Sequence, residues 1–128
     1  MATPEQIEKT AQRIIDSYNA DKDVVVVISA RAGETNRLIE MAQEMGTPQA
    51  GCEYDLLISA GEQVSMGLLA LCIAKNGYKV KTFLGWQVPI ITDSHHTHAA
   101  IDTIDPRKIT TELALGSIVV VAGFQGID

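Results

Sequence analysis

The sequence has little of what staples small folds or grips polyanions. Two cysteines in 128 residues, Cys52 and Cys72, are too few for a disulfide scaffold and too widely spaced for a C-x-x-C motif, so reduced, partly buried thiols are expected. Ten Lys and Arg face sixteen Asp and Glu, and a net charge of −6 argues against non-specific attraction to nucleic acid or to an anionic membrane surface. No uninterrupted apolar run approaches ~20 residues, and the N-terminus is polar and helical in pattern; the expectation is a cytoplasmic protein without a membrane span. Neither G-x-G-x-x-G nor G-x-x-x-x-G-K-[ST] occurs, which removes the dinucleotide fingerprint and the P-loop. A G-x-S-x-G nucleophile elbow is also missing, and no serine has a compelling histidine partner. Repeats, low-complexity tracts and Ser/Gly-rich linkers are absent, so nothing marks a domain boundary. A single domain of this length buries roughly two-thirds of the surface its unfolded chain exposes.

What is present is an alternation of helical and β-branched segments. Thr3, Pro4 and Glu5 suit an N-cap, first helical position and first-turn acid, and Ile7, Ala11, Ile14 and Ile15 then share one face of a helix to about Tyr18. Four consecutive valines from Val24, followed by Ile28, read as a central strand buried on both faces. A loop of small and polar residues follows, Ser29 to Asn36, and Leu38, Ile39, Met41 and Ala42 take up helical spacing to a stop near Gly46. From Glu53 to Asn76 the pattern is helical with an interruption at Ser59-Ala60-Gly61, which predicts two helices and puts Glu62 in the first turn of the longer one. Gly77 closes that helix, Tyr78 to Leu84 alternates as a strand, and Pro89 belongs to an extended piece at a sheet edge. Ile101 to Ile104 is a short strand, Pro106 opens a helix ending near Gly116, and Ile118 to Ala122 is a second β-branched run. The alternation implies α/β architecture: a three-layer α/β/α sandwich around a mainly parallel sheet.

In such a sheet, ligands bind beyond the carboxyl ends of strands, where helix N-termini present unpaired N–H groups to anions. The loop at Ser29 to Asn36 is one such place, able to hold a carboxylate or phosphate, and Gly123-Phe124-Gln125-Gly126 is a second. Ser29, Thr35, Glu62 and Phe124 all lie at predicted element ends that can share one rim. Each also has a plainer role: a strand-to-helix connection capped by Thr35 or Asn36, and a first-turn acid at Glu62. Asp93, His95, His96 and His98 are metal-ligand types, but their spacing matches no tight zinc pattern and a solvated loop is the preferred reading, so no metal site is assigned. Trp86 reads as core or edge packing.

Several segments taken together resemble the aspartate kinases of the amino acid kinase family. Val24 to Ala30 with Gly33, Thr35 and Asn36 is similar to the family's S-A-x-x-G-x-T-[ND] segment. Tyr54-Asp55, Ser59 to Ser65, Gly85-Trp86-Gln87, Thr92-Asp93-Ser94 with His96, Thr97 and Ala99, and Val119 to Asp128 follow in the family's order. The resemblance covers nearly the whole chain. It implies the amino acid kinase fold, incomplete here, with residues 1–128 as the amino-acid-binding half of a catalytic domain. It also implies transfer of the ATP γ-phosphoryl group, with magnesium on the phosphates, to the β-carboxylate of L-aspartate, the first step towards lysine, threonine and methionine. By the same resemblance Thr35 and Glu62 hold the amino acid, Ser29 lines its pocket and Phe124 closes over it.

Departures from the pattern are specific. The family's K-F-G-G-T-S strand and its L-G-R-G-G-S-D segment do not occur, so no catalytic residue is assigned within the chain and activity of the chain alone is not expected. Arg31, Pro89, Ile91 and His98 also differ from the common forms. Expected partners are L-aspartate, ATP, and either further copies of the chain or the remainder of a kinase, with no nucleic acid and no membrane. The alternatives are an amino-acid-binding module without chemistry and a kinase of another amino acid.

Overall fold

The computed structural model describes residues 3–29, 33–46, 51–84, 87, 90–92 and 101–122. Helix α1 (Pro4–Asn19) begins with a capping box. Thr3 Oγ1 accepts from the Gln6 amide at 3.2 Å, and Gln6 Oε1 accepts from the Thr3 amide at 3.3 Å. Its buried residues are the four that the spacing selects, Ile7, Ala11, Ile14 and Ile15. The helix end is tied down by tyrosines. The Tyr18 hydroxyl donates to the Gly116 carbonyl at 2.8 Å, and its ring meets Tyr78 edge-on with centroids 5.8 Å apart.

Strands β1 (Val25–Ile28), β2 (Val80–Phe83) and β5 (Ile118–Ala122) form a parallel sheet in the order β1-β5-β2. Val25 is paired with Val119 and Ile28 with Ala122, while Val80 pairs with Ile118 and Phe83 with Val121. The strand buried on both faces is therefore β5, all five residues of which are buried. This corrects the expectation for the valine run. In the described sheet β1 lies at the side, with Val26 and Ile28 turned to the core and Val27 70% exposed. A β-branched run reports affinity for a pleated surface, and both strands have it; which of them sits inside is decided by the layers packed on each.

Those layers are unequal. On one face Ile118, Val120 and Ala122 join Ile28, Met66, Leu69, Ile73 and the α1 residues in the main core, so α1 and α3 (Cys52–Lys75) cover this side. On the other, α4 (Arg107–Ala114) lays Ile109 and Leu113 on Phe83, Val119 and Val121. Helix α2 (Glu34–Glu44) packs on α3, burying Leu38 and Ala42. The result is the expected α/β/α layering. Strands β3 (Ile90–Thr92) and β4 (Ile101–Ile104) pair antiparallel as a separate two-stranded sheet, so β3, which follows Pro89, is an edge strand, while Pro89 itself lies outside the described residues.

Two helix boundaries differ from the sequence reading. Helix α3 is continuous over 24 residues, without a break at Ser59-Ala60-Gly61. An internal glycine costs only about 1 kcal/mol relative to alanine, which is small beside the apolar burial that α3 gains against the sheet. The Ser59 hydroxyl bonds back to the Leu56 carbonyl at 3.0 Å, keeping its polar atom within the helix. Helix α2 is preceded by Gly33 at φ +81, so neither Thr35 nor Asn36 is its cap. The predicted stops hold: Gly46, Gly77 and Gly116 all follow helices with positive φ. Helix α3 is long and apolar enough to cross a membrane by length and composition, but it packs on all three strands of the parallel sheet, which is the part of a core helix.

Two outcomes are expected. Leu69→Ala, at a fully buried core position, should lower unfolding free energy by about 2–5 kcal/mol in urea titrations, whereas Met45→Ala at an exposed site should change it by less than ~0.5 kcal/mol. Asp105 accepts from the Arg107 amide and guanidinium, which holds its carboxyl down at about 2. A carboxyl lowered on folding stabilises fully above its unfolded value near ~3.9, and the contribution fades as pH falls from there through the folded value. The stability difference between the wild type and Asp105→Asn should accordingly be constant near neutrality and shrink below about pH 4.

Candidate functional site

Parallel register brings the carboxyl ends of β1 and β5 to one edge of the sheet, because Ile28 and Ala122 are partners. Ser29 follows β1 there and is exposed. Gly33 then turns the chain into α2, so Thr35 sits in the first turn of that helix, half-buried, among amides without intrahelical partners. Glu34 beside it accepts from the Arg37 guanidinium at 3.1 Å, and this contact raises the Arg37 pKa above its ordinary value. Phe124, which follows β5, lies outside the described residues, as do Arg31, Trp86, Pro89, Asp93, His95, His96 and His98.

Glu62 stands elsewhere than the sequence pattern suggests. It is in the middle of α3, not in a first turn, so the helix macrodipole does not explain its charge. Its side chain is 4% exposed on the face that α3 turns inward. Buried carboxylates are rare because leaving water is costly unless charge and hydrogen bonds are matched inside. Glu62 is flanked at three-residue spacing by two more buried polar residues, Ser59 and Ser65, which makes a polar ridge along an otherwise apolar helix face. The Ser65 side chain is completely buried and its Oγ has no hydrogen-bond partner among the described residues. Ser65 entered the sequence reading only as the end of the Ser59 to Ser65 segment, because a serine inside a helical pattern has no signal of its own; that it is buried beside Glu62 is seen only in the fold.

Helix α3 packs on both β1 and α2, so the elements that carry Ser29, Thr35 and Glu62 are mutual neighbours through α3. Chemically the set offers one buried carboxylate, hydroxyl groups and the amide end of a helix.

The other features of the surface are of a different kind. A groove of about 470 Å³ lies on the α4 side of the sheet, lined by Lys81, Phe83, Gln87, Arg107, Lys108, Thr111 and Glu112. Arg107 is paired with Asp105 and Glu112 accepts from the Ser117 hydroxyl at 3.0 Å, while Lys81 and Lys108 add two further cations to the lining. Of the described site candidates Ser29, Thr35 and Glu62, none lines it. Both cysteines are free thiols, Cys72 half-buried as expected and Cys52 exposed. A hydrogen bond and charge from Glu53 push the Cys52 thiol up, away from nucleophilic thiolate character. Among the described residues no three His, Cys, Asp or Glu side chains come together in a way that can hold a metal ion.

The model of the amino acid kinase family matches residues 1–128. An aspartate kinase of Stutzerimonas stutzeri (strain A1501) is 43% identical over all of this chain and 31% of its own length. One from Pseudomonas fluorescens (strain SBW25) is 47% identical over 97% of this chain and 30% of its own. Among solved structures, the crystal structure of aspartate kinase from Synechocystis superposes with a TM-score of 0.78 at 36% identity, covering 99% of this chain and 20% of that one. The chain thus spans about 30% of the length of these relatives. Family match, sequence likeness and superposition agree over the whole chain: it belongs to the amino acid kinase family.

Proposed function

We propose that the chain is the amino-acid-binding part of an aspartate kinase, which transfers the γ-phosphoryl group of ATP to the β-carboxylate of L-aspartate at the head of lysine, threonine and methionine synthesis. The observation that carries the reading is Glu62, a carboxylate 4% exposed in mid-helix, in a chain whose relatives are aspartate kinases. Buried ionisable side chains concentrate at functional sites, and Glu62 is buried on a helix that packs on the elements carrying Ser29 and Thr35. In this reading Glu62 takes the α-ammonium of aspartate. The Thr35 hydroxyl and the first amides of α2 take a carboxylate, Ser29 lines the pocket from the end of β1, and Phe124 closes over the bound amino acid.

The contribution of these residues is binding and orientation. Phosphoryl transfer is catalysed mainly by alignment and by cations that neutralise the migrating charge, and magnesium enters as the ion carried by the ATP phosphates. The described residues form no metal site of their own, and no step is assigned to one. Neither K-F-G-G-T-S nor G-R-G-G-S-D occurs in the sequence, and one phosphate-clamping arginine alone can be worth ~10³–10⁵ in rate. The chain by itself is therefore a binder, and activity belongs to it together with the remainder of a kinase, in the cytoplasm.

Calorimetric titration of the 128-residue chain with L-aspartate tests this. The expected result is saturable binding that Glu62→Ala weakens at least ~30-fold, and no aspartate-dependent ADP release in a coupled assay. Absence of binding by a folded chain, or ordinary kinase turnover, contradicts the reading. Ser65→Ala supplies a separate check on the polar ridge. Removing a fully buried hydroxyl without a partner should leave stability unchanged or raise it by up to about 1 kcal/mol in urea unfolding, since no hydrogen bond is lost.

A further inference from the structure

Hydroxyl groups along the helices of this chain are commonly returned to the backbone. Thr10 donates to the Gln6 carbonyl at 2.9 Å, Ser59 to the Leu56 carbonyl at 3.0 Å and Thr111 to the Arg107 carbonyl at 2.8 Å. Off the helices, buried Ser117 donates to the Glu112 carboxylate instead. Ser65 does neither: it is 0% exposed, and its Oγ has no hydrogen-bond partner among the described residues. An unpaired buried hydroxyl works against folding, and alanine would occupy the same helical position without that cost. The fold alone gives Ser65 no reason to be a serine.

Its place in α3 supplies one. Ser65 follows Glu62 by one turn on the inward face of the helix, and residues three apart hold their Cβ atoms ~5–6 Å from each other. Helical side chains tilt towards the helix N-terminus, so Ser65 leans over the turn that carries Glu62, whereas Ser59 leans away from it, towards Leu56. Of the two buried serines that flank Glu62, only Ser65 therefore has an uncommitted hydroxyl on the right side. A serine hydroxyl turns among staggered positions about χ1, and Ser65 gives up no bond in turning. An O–H that donates to a carboxylate makes a short, strong bond and fixes the direction of the acceptor. We propose, on the reading of Glu62 as the ammonium ligand, that Ser65 is a positioning residue for amino-acid recognition. Its Oγ–H turns to donate to the Glu62 carboxylate and holds that group in the orientation in which it meets the ammonium of the substrate. Ser65 acts through Glu62 and not on the substrate itself. Stability is given up at this position for precision in the pocket, a common exchange at functional sites.

Calorimetric titrations of the 128-residue chain with L-aspartate and with succinate, which keeps both carboxylates and lacks the ammonium, test it. Ser65→Ala should weaken L-aspartate binding ~5–20-fold and succinate binding less than ~2-fold, without lowering the urea midpoint of unfolding. Loss of affinity without loss of stability, confined to the ligand that carries an ammonium, is what a merely structural serine would not produce. Ser65→Cys, close to serine in size but a weak donor, should resemble Ser65→Ala. Two results overturn the inference and leave the aspartate reading standing: L-aspartate affinity that either variant leaves within ~2-fold of wild type, and an equal loss for both ligands, which means a general disturbance of the pocket. Failure of the wild type to bind L-aspartate, or binding insensitive to Glu62→Ala, overturns the aspartate reading and the role of Ser65 with it.

Discussion

The enclosure of β5 is the constraint on which the structure depends. Its residues, Ile118 to Ala122, are at most 5% exposed, its two edges are both hydrogen-bonded, and its two faces look into different clusters. Burying each Val or Ile contributes about 1.5–3 kcal/mol, but only if a layer lies on each side. That requirement fixes the positions of α1 and α3 above, of α4 below, and of β1 and β2 as the strands alongside. Even the tyrosine tie serves it: Tyr18 bonds to Gly116, the residue that turns α4 into β5.

Helix α3 answers two demands that pull against each other. It must fill the core with Met66, Leu69 and Ile73, yet its inward face also carries Ser59, Glu62 and Ser65. Such a ridge lowers the gain from burial and adds the cost of taking a carboxyl group out of water. Proteins break local rules of this sort mainly where a site needs it. Arg37 and Arg107 show the contrast, since each pairs with a near neighbour in sequence at the start of a helix.

Much of this was legible in the residues. The capping box at Thr3, the face Ile7-Ala11-Ile14-Ile15 and the glycines that stop three helices follow from local stereochemistry, which depends on neighbours a few residues away. The alternation of elements gave the α/β class for the same reason. What failed was non-local. Ser59-Ala60-Gly61 has poor helix propensity, and only packing against the sheet keeps α3 unbroken. The valine run and the last strand are equally β-branched, and their places in the sheet depend on which of them α4 covers. Of the candidate site, Ser29, Thr35 and Glu62 were singled out by their places at predicted element ends and given roles by the resemblance of whole segments; that Glu62 is buried in mid-helix, beside a buried Ser65, came from the fold.

The order β1-β5-β2 has a further meaning in time. The two outer strands share no edge, and each is completed only by β5, which is the last of the three to leave the ribosome. Until it emerges, β1 and β2 have no strand partner in the described sheet, and the inner face of α3 lacks the strand it packs on. Pairing across long sequence separations is slow, and exposed strand edges and apolar faces are what chaperones and aggregates capture. In the described sheet the pairing of both outer strands thus waits on a single short strand, the latest of the three in sequence.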